Sequence, residues 1–159
     1  MNNAVCVPAE IDKRWMRAAI AQSRHAEGRT QSNPPVGCVI LDKSGRLCAA
    51  SHTGIDGVPQ AETQALNMAG KLAAGGTVYV TLEPCAHHGK TPPCVDAIIE
   101  SQISRVVIAS KDPNPLVNEK SINKLKDNGV NVTTGVCESE ARELNKSFFY
   151  KFNHDKPYM

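Results

Sequence analysis

Thr77-Val78-Tyr79-Val80-Thr81-Leu82 is an apolar, β-branched run of strand length; Glu83-Pro84-Cys85 follows at once, and Cys94 comes after eight intervening residues. Such a run reads as an interior strand, because a strand covered on both faces lacks the polar alternation of a half-exposed one. Downstream the pattern alternates strictly. A helix from about Pro93 to Ser101 precedes a strand from Arg105 to Ser110, and a helix near Glu119 to Asn128, closed by Gly129, precedes a strand from Val130 to Gly135. A last helix, from about Glu138 to Tyr150, sets Ala141, Leu144 and Phe148 on one face.

Upstream, a helix opens near Pro59 or Gln60, turns Ala65, Leu66, Ala69 and Leu72 inward and stops at Gly75-Gly76. Before it, the apolar runs Val36 to Leu41 and Arg46 to Ser51 flank Asp42-Lys43-Ser44-Gly45, a turn composition that predicts a β-hairpin. Ile11, Trp15, Ala18, Ala19 and Gln22 keep helical spacing and predict a first helix over 10–27, with Glu10 and Asp12 at its positive end. The order α-β-β-α-β-α-β-α-β-α predicts an α/β fold in three layers, α-β-α. Its five-stranded mixed sheet is expected to be mostly parallel, with the first pair antiparallel.

At 159 residues and 41% hydrophobic side chains, the chain suits one domain rather than two. Eighteen Lys and Arg against sixteen Asp and Glu leave a net charge of +2, and aromatics make up only 4%, which argues against a nucleic-acid partner. The sequence has no apolar run of about 18 residues, and MNNAVCVPAEIDKRW lacks the layout of a secretory signal, so no membrane partner and a cytoplasmic location are expected. The six cysteines are expected to be reduced, with Cys6, Cys38, Cys48 and Cys137 as isolated thiols. Residues 1–150 read as the domain; the polar 151–159 segment reads as a linker or a frayed end.

Cys85 and Cys94 carry the chemistry. One follows a strand and the other opens the next helix, and in an α/β sheet those positions border the ligand crevice. Zinc binds thiolate, which a helix amino end favours. Two cysteines alone are a weak zinc signal; Pro59-Gln60-Ala61-Glu62, at the start of another helix, adds a third element. The zinc-dependent nucleobase deaminases have a similar layout: His-x-Glu at one helix start, Pro-Cys…Cys at the next, and a nearby Glu that shuttles protons.

Ser32-Asn33-Pro34-Pro35-Val36-Gly37-Cys38-Val39-Ile40, the Thr81-to-Cys94 stretch and Asp112-Pro113-Asn114-Pro115-Leu116-Val117 closely resemble the pyrimidine deaminase domain of the riboflavin-biosynthesis deaminase/reductase family. The resemblance implies a cytidine deaminase-like fold. It also implies zinc-dependent removal of the 2-amino group of 2,5-diamino-6-ribosylamino-4(3H)-pyrimidinone 5′-phosphate. Carried over by position, Cys85 and Cys94 are zinc ligands and Glu62 is the proton shuttle, while Asn33, His52, His87 and Lys90 fall where the family holds its pyrimidine and ribosyl phosphate. The implied partners are a small pyrimidine nucleotide, further copies of the chain in a homo-oligomer, and a separate reductase. Lys156-Pro157-Tyr158 resembles the approach to the family's reductase domain.

One departure matters. Gln60 stands where the family has its first metal ligand, a histidine. A carboxamide oxygen is a weaker donor to zinc than imidazole nitrogen. Three outcomes are open: Gln60 binds weakly through its oxygen; His52, His87, His88 or a water fills the gap; or the metal is absent. The expectation is lowered zinc occupancy and slow or lost deamination on an intact fold. Asn118-Glu119-Lys120-Ser121 also departs from the family's glycine-rich loop. The competing functions are a catalytically silent nucleotide-binding or assembly domain and a nucleic-acid-editing deaminase, the latter disfavoured by near-neutral charge and few aromatics.

Overall fold

The computed structural model describes residues 8–26, 34–54, 60–85, 94–113 and 118–146. Expectations that fall on Asn33, His87, His88, Lys90, Phe148 and the 151–159 tail lie outside the described residues. In chain order the elements are α1 (Pro8–Arg24), β1 (Gly37–Leu41), β2 (Leu47–His52), α2 (Ala61–Ala69), β3 (Thr77–Leu82), α3 (Cys94–Glu100), β4 (Arg105–Ser110), α4 (Lys120–Asp127), β5 (Asn131–Thr134) and α5 (Glu138–Leu144).

The strands form one five-stranded mixed sheet in the order β2-β1-β3-β4-β5. β3, β4 and β5 are parallel, whereas β1 is antiparallel to both β2 and β3, so the antiparallel part extends beyond the first pair. The cause is topological: α2 is the crossover between β2 and β3, which point the same way, and β1 is inserted between them. Alternation along β1 sends Cys38 and Ile40 toward α2, α3 and α4, and Val39 and Leu41 toward α1 and α5. Each face thus has its own core, and the three expected layers are present.

Three expectations need correction. α1 runs two residues earlier and ends three sooner than 10–27. Pro8 suits a first helical position, and i→i+3 bonds from His25 N–H to Gln22 O and Ala26 N–H to Ser23 O, each 3.0 Å, close the helix. Its buried stripe is Asp12, Met16, Ala19, Ile20 and Ser23, one position away from the expected one. Leu72, expected inside, is 59% exposed. Gly70, at φ +55°, breaks α2 into the short 3-10 turn Gly70–Ala73, and the rotated register buries Ala73 instead.

The hairpin turn matches its sequence pattern. Asp42 Oδ1 accepts the N–H groups of Ser44 (2.8 Å) and Arg46 (3.0 Å), and Gly45 supplies the positive φ of +84°. α1 lies hard against β1: a Cβ on Gly37 would meet Ala19 O at 1.8 Å. Gly37 pairs with His52 and donates its N–H to Thr81 Oγ1 at 3.1 Å. The end of α1, the start of β1 and the ends of β2 and β3 therefore share one edge of the sheet.

Candidate active site

At that edge the chain leaves β3 through Glu83 and Pro84 to reach Cys85. Cys94 is the first residue of α3, and Gln60 is the extended N-cap of α2. The three side chains meet. The Cys94 N–H donates to Cys85 Sγ at 3.2 Å, and the Val95 N–H donates to Cys85 O at 3.2 Å, which fixes the start of α3 against the end of β3. Both thiols donate to Gln60 Oε1, Cys85 from 3.7 Å and Cys94 from closer in. The Thr63 hydroxyl lies 3.9 Å from Cys94 Sγ. Two neighbouring helix starts and one strand end thus converge on a single point, because α2 and α3 pack side by side over the same face of the sheet.

Glu62, in the first turn of α2, is only 5% exposed. Burial is the largest influence on its carboxyl and, with help from the nearby Cys85, pushes its pKa up to about 7, despite hydrogen bonds from its own backbone and Cys94 that favour the anion. The hydrogen bond with Cys85, then burial, then the Glu62 charge hold the Cys94 thiol well above the ordinary thiol range. Burial and the same carboxyl raise Cys38, on β1. The Cys85 and Cys94 thiols are hydrogen-bonded to the same Gln60 oxygen, and a metal binding at the two sulfurs would displace their protons.

His52, at the end of β2, reaches this edge by another route. Its Nδ1 lies 3.0 Å from Thr53 O, its carbonyl accepts Gln64 Nε2 at 2.6 Å, and its ring packs on that of His25, with centroids 5.6 Å apart. Among the described residues no hydrogen bond joins its side chain to Gln60, Glu62, Cys85 or Cys94.

Sequence reading missed Glu83. This carboxylate is buried at the end of β3, where Oε1 accepts the Asp112 N–H (3.1 Å) and Oε2 accepts the Ser121 hydroxyl (2.9 Å). It ties the strand end that leads to Cys85 to both described ends of the β4–α4 connection. The available signal was an acid directly after an apolar strand run.

The described residues hold no group of three His, Cys, Asp or Glu side chains arranged to bind a metal. The third heteroatom facing the two sulfurs is the Gln60 carboxamide oxygen. As a donor set, two thiols and one oxygen fit zinc in number and convergence, with the oxygen the weakest member. Among the described residues no helix is long and apolar enough to cross a membrane.

A family model described as the cytidine and deoxycytidylate deaminase zinc-binding region matches residues 9–110. The riboflavin biosynthesis protein RibD of Aquifex aeolicus is 49% identical over 150 residues, which are 94% of this chain and 42% of that protein. The diaminohydroxyphosphoribosylamino-pyrimidine deaminase of Buchnera aphidicola (from Schizaphis graminum) is 44% identical over 146 residues, 92% of this chain and 99% of that protein. Among solved structures, Acinetobacter baumannii RibD superposes with a TM-score of 0.91 at 43% identity, over 94% of this chain and 42% of that one. The diaminohydroxyphosphoribosylaminopyrimidine deaminase/5-amino-6-(5-phosphoribosylamino)uracil reductase of Thermotoga maritima gives 0.88 at 39%, over 94% of this chain and 43% of that one. The chain therefore spans less than half the length of several of these relatives and nearly all of the Buchnera deaminase.

Proposed function

The chain belongs to the zinc-binding family of cytidine and deoxycytidylate deaminases, and on that premise we propose that it hydrolyses the 2-amino group of 2,5-diamino-6-ribosylamino-4(3H)-pyrimidinone 5′-phosphate. Water is consumed, ammonia leaves, and the 5-aminouracil nucleotide remains for a reductase on the same or a separate chain. The observation that carries this reading is the buried Glu62 beside the converged Cys85, Cys94 and Gln60. Residues 1–150 are the deaminase domain, with 151–159 as a tail or linker.

Cys85 and Cys94 would hold zinc, with Gln60 Oε1 as third donor. When bound, zinc supplies a Lewis acid that brings the pKa of water toward neutrality. Glu62 does the proton work. A carboxyl whose pKa lies near 7 gives and takes protons with similar ease: Glu62 would pass one proton of the attacking water to the ring nitrogen and the second, from the hydroxyl left on the ring carbon, to the amine as the C–N bond breaks. Its burial excludes bulk water from that exchange. His52 meets the nucleotide, as do Asn33, His87 and Lys90, which lie outside the described residues.

Gln60 limits the reaction, because the carboxamide holds zinc less tightly than an imidazole. Zinc content by elemental analysis and ammonia release from the diaminopyrimidine nucleotide, for the chain and for Gln60→His, test this. The variant is expected to hold more zinc and release ammonia faster. Nucleotide binding without ammonia release from either zinc-loaded protein would overturn the enzymatic reading in favour of a silent nucleotide-binding domain.

A further inference from the structure

His52 is held in more ways than a half-buried side chain at a strand end requires. Its backbone is fixed by the ladder to Gly37 and by Gln64, whose side-chain Nε2 donates to the His52 carbonyl at 2.6 Å. Its ring nitrogen Nδ1 lies 3.0 Å from Thr53 O; a carbonyl only accepts, so Nδ1 carries the proton and Nε2 presents a lone pair in the neutral ring. The ring also packs against His25. The two rings lie 5.6 Å apart at 35°, inside the range in which aromatic faces attract. Among the described residues nothing hydrogen-bonds Nε2.

His25 is placed for this by the end of α1. The Ser23 hydroxyl donates to Ile20 O at 2.6 Å, the turn bonds of His25 and Ala26 close the helix, and the buried Ala26 anchors its end against the core. Gly37 lets this last turn approach the sheet edge where His52 stands. His25 belongs to none of the motifs that suggest the deaminase family.

We propose that His25 is a positioning residue for nucleotide binding: its ring packs on His52 and holds His52 Nε2 where it meets the phosphorylated pyrimidine. This rests on the reading of His52 as a nucleotide-binding residue. It assigns His25 no contact with the nucleotide, so its effect passes wholly through His52.

The test is calorimetric binding of the 5-aminouracil nucleotide product, which is not turned over, to the zinc-supplied chain and to His25→Ala, His25→Phe, His52→Ala and the His25→Ala/His52→Ala double variant. His25→Ala is expected to weaken binding about threefold to tenfold, the scale of an aromatic pair. His25→Phe keeps the face and should restore affinity to within about twofold, while the double variant should bind no worse than His52→Ala alone. The His52 ring-proton shift should move in His25→Ala and return in His25→Phe, with no ligand present. Unchanged binding in His25→Ala, or no recovery in His25→Phe, overturns the proposal and leaves the deaminase reading standing. A wild-type chain that neither binds the nucleotide nor releases ammonia overturns both.

Discussion

Gln60 Oε1 lies 3.7 Å from Cys85 Sγ, although 25 residues separate them in the chain. The N-cap position explains the meeting. Gln60 has extended backbone geometry (φ −71°, ψ 152°) and contributes no side-chain cap to its own helix, so its carboxamide is free to turn toward the end of β3. A side chain at the same place with an imidazole nitrogen would face the same two sulfurs.

Gln60→His is therefore expected to raise zinc affinity at least about tenfold, a modest figure beside the known effect of disturbing even the outer partners of metal ligands. Competition with a chromophoric chelator measures it. Cys85→Ser in the same assay should lose affinity in either background; equal affinity of the wild-type and histidine chains contradicts the assignment of position 60.

Glu62 sets activity against stability. Its folded pKa of about 7 lies above the ordinary 4.5, so the metal-free native state binds the proton more tightly than the unfolded chain. The associated stability is fully present below pH 4.5, declines as pH rises toward 7 and is gone above it. Glu62→Gln should thus make the metal-free protein more stable at pH 8 by about 3 kcal/mol, from the size of the shift, and flatten that part of the pH profile. Ammonia release should fall by about two to four orders of magnitude. Urea unfolding at pH 5 and 8 provides the check.

Asp12 works in the opposite direction. Burial alone would raise its pKa, but the Arg105 guanidinium, bonded to both oxygens at 2.8 and 2.7 Å, and the Tyr79 hydroxyl at 2.8 Å overcome that and lower it. The stability gained is present above the unfolded pKa and lost as pH falls through the folded one. Asp12→Ala leaves Arg105 half-buried without this partner and should cost about 2–4 kcal/mol at pH 7, below the full figure for a wholly buried pair because Arg105 keeps some solvent. The difference from wild type should shrink in acid.

Ser121→Ala removes one of the two donors that the described residues bring to the buried Glu83. An acceptor left unpaired costs about 1–3 kcal/mol, which chemical unfolding would register. Glu83→Gln should cost less, since its amide oxygen still accepts the Asp112 N–H.

The parallel half of the sheet was legible because β3 and β4 are buried on both faces and leave continuous apolar runs. The hairpin was legible from its turn residues. The meeting of Gln60, Cys85 and Cys94 followed from the rule that helix starts and strand ends share an edge. The features that escaped depend on tertiary partners. Asp12 lies inside only because Arg105, 93 residues away, and Tyr79 wait there. Leu72 lies outside because one glycine changes the helical register, and Glu83 is satisfied by donors from the next connection. His25 and His52 meet across the α1–β2 boundary, which no local pattern announces.

X-ray absorption at the zinc edge tests the central claim most directly. For the zinc-loaded chain, two sulfur neighbours at about 2.3 Å with lighter oxygen or nitrogen atoms completing the shell are predicted, and both sulfurs should vanish in a Cys85→Ala/Cys94→Ala variant. A zinc shell without sulfur, or no zinc held at saturating metal by either the wild-type chain or Gln60→His, would contradict it.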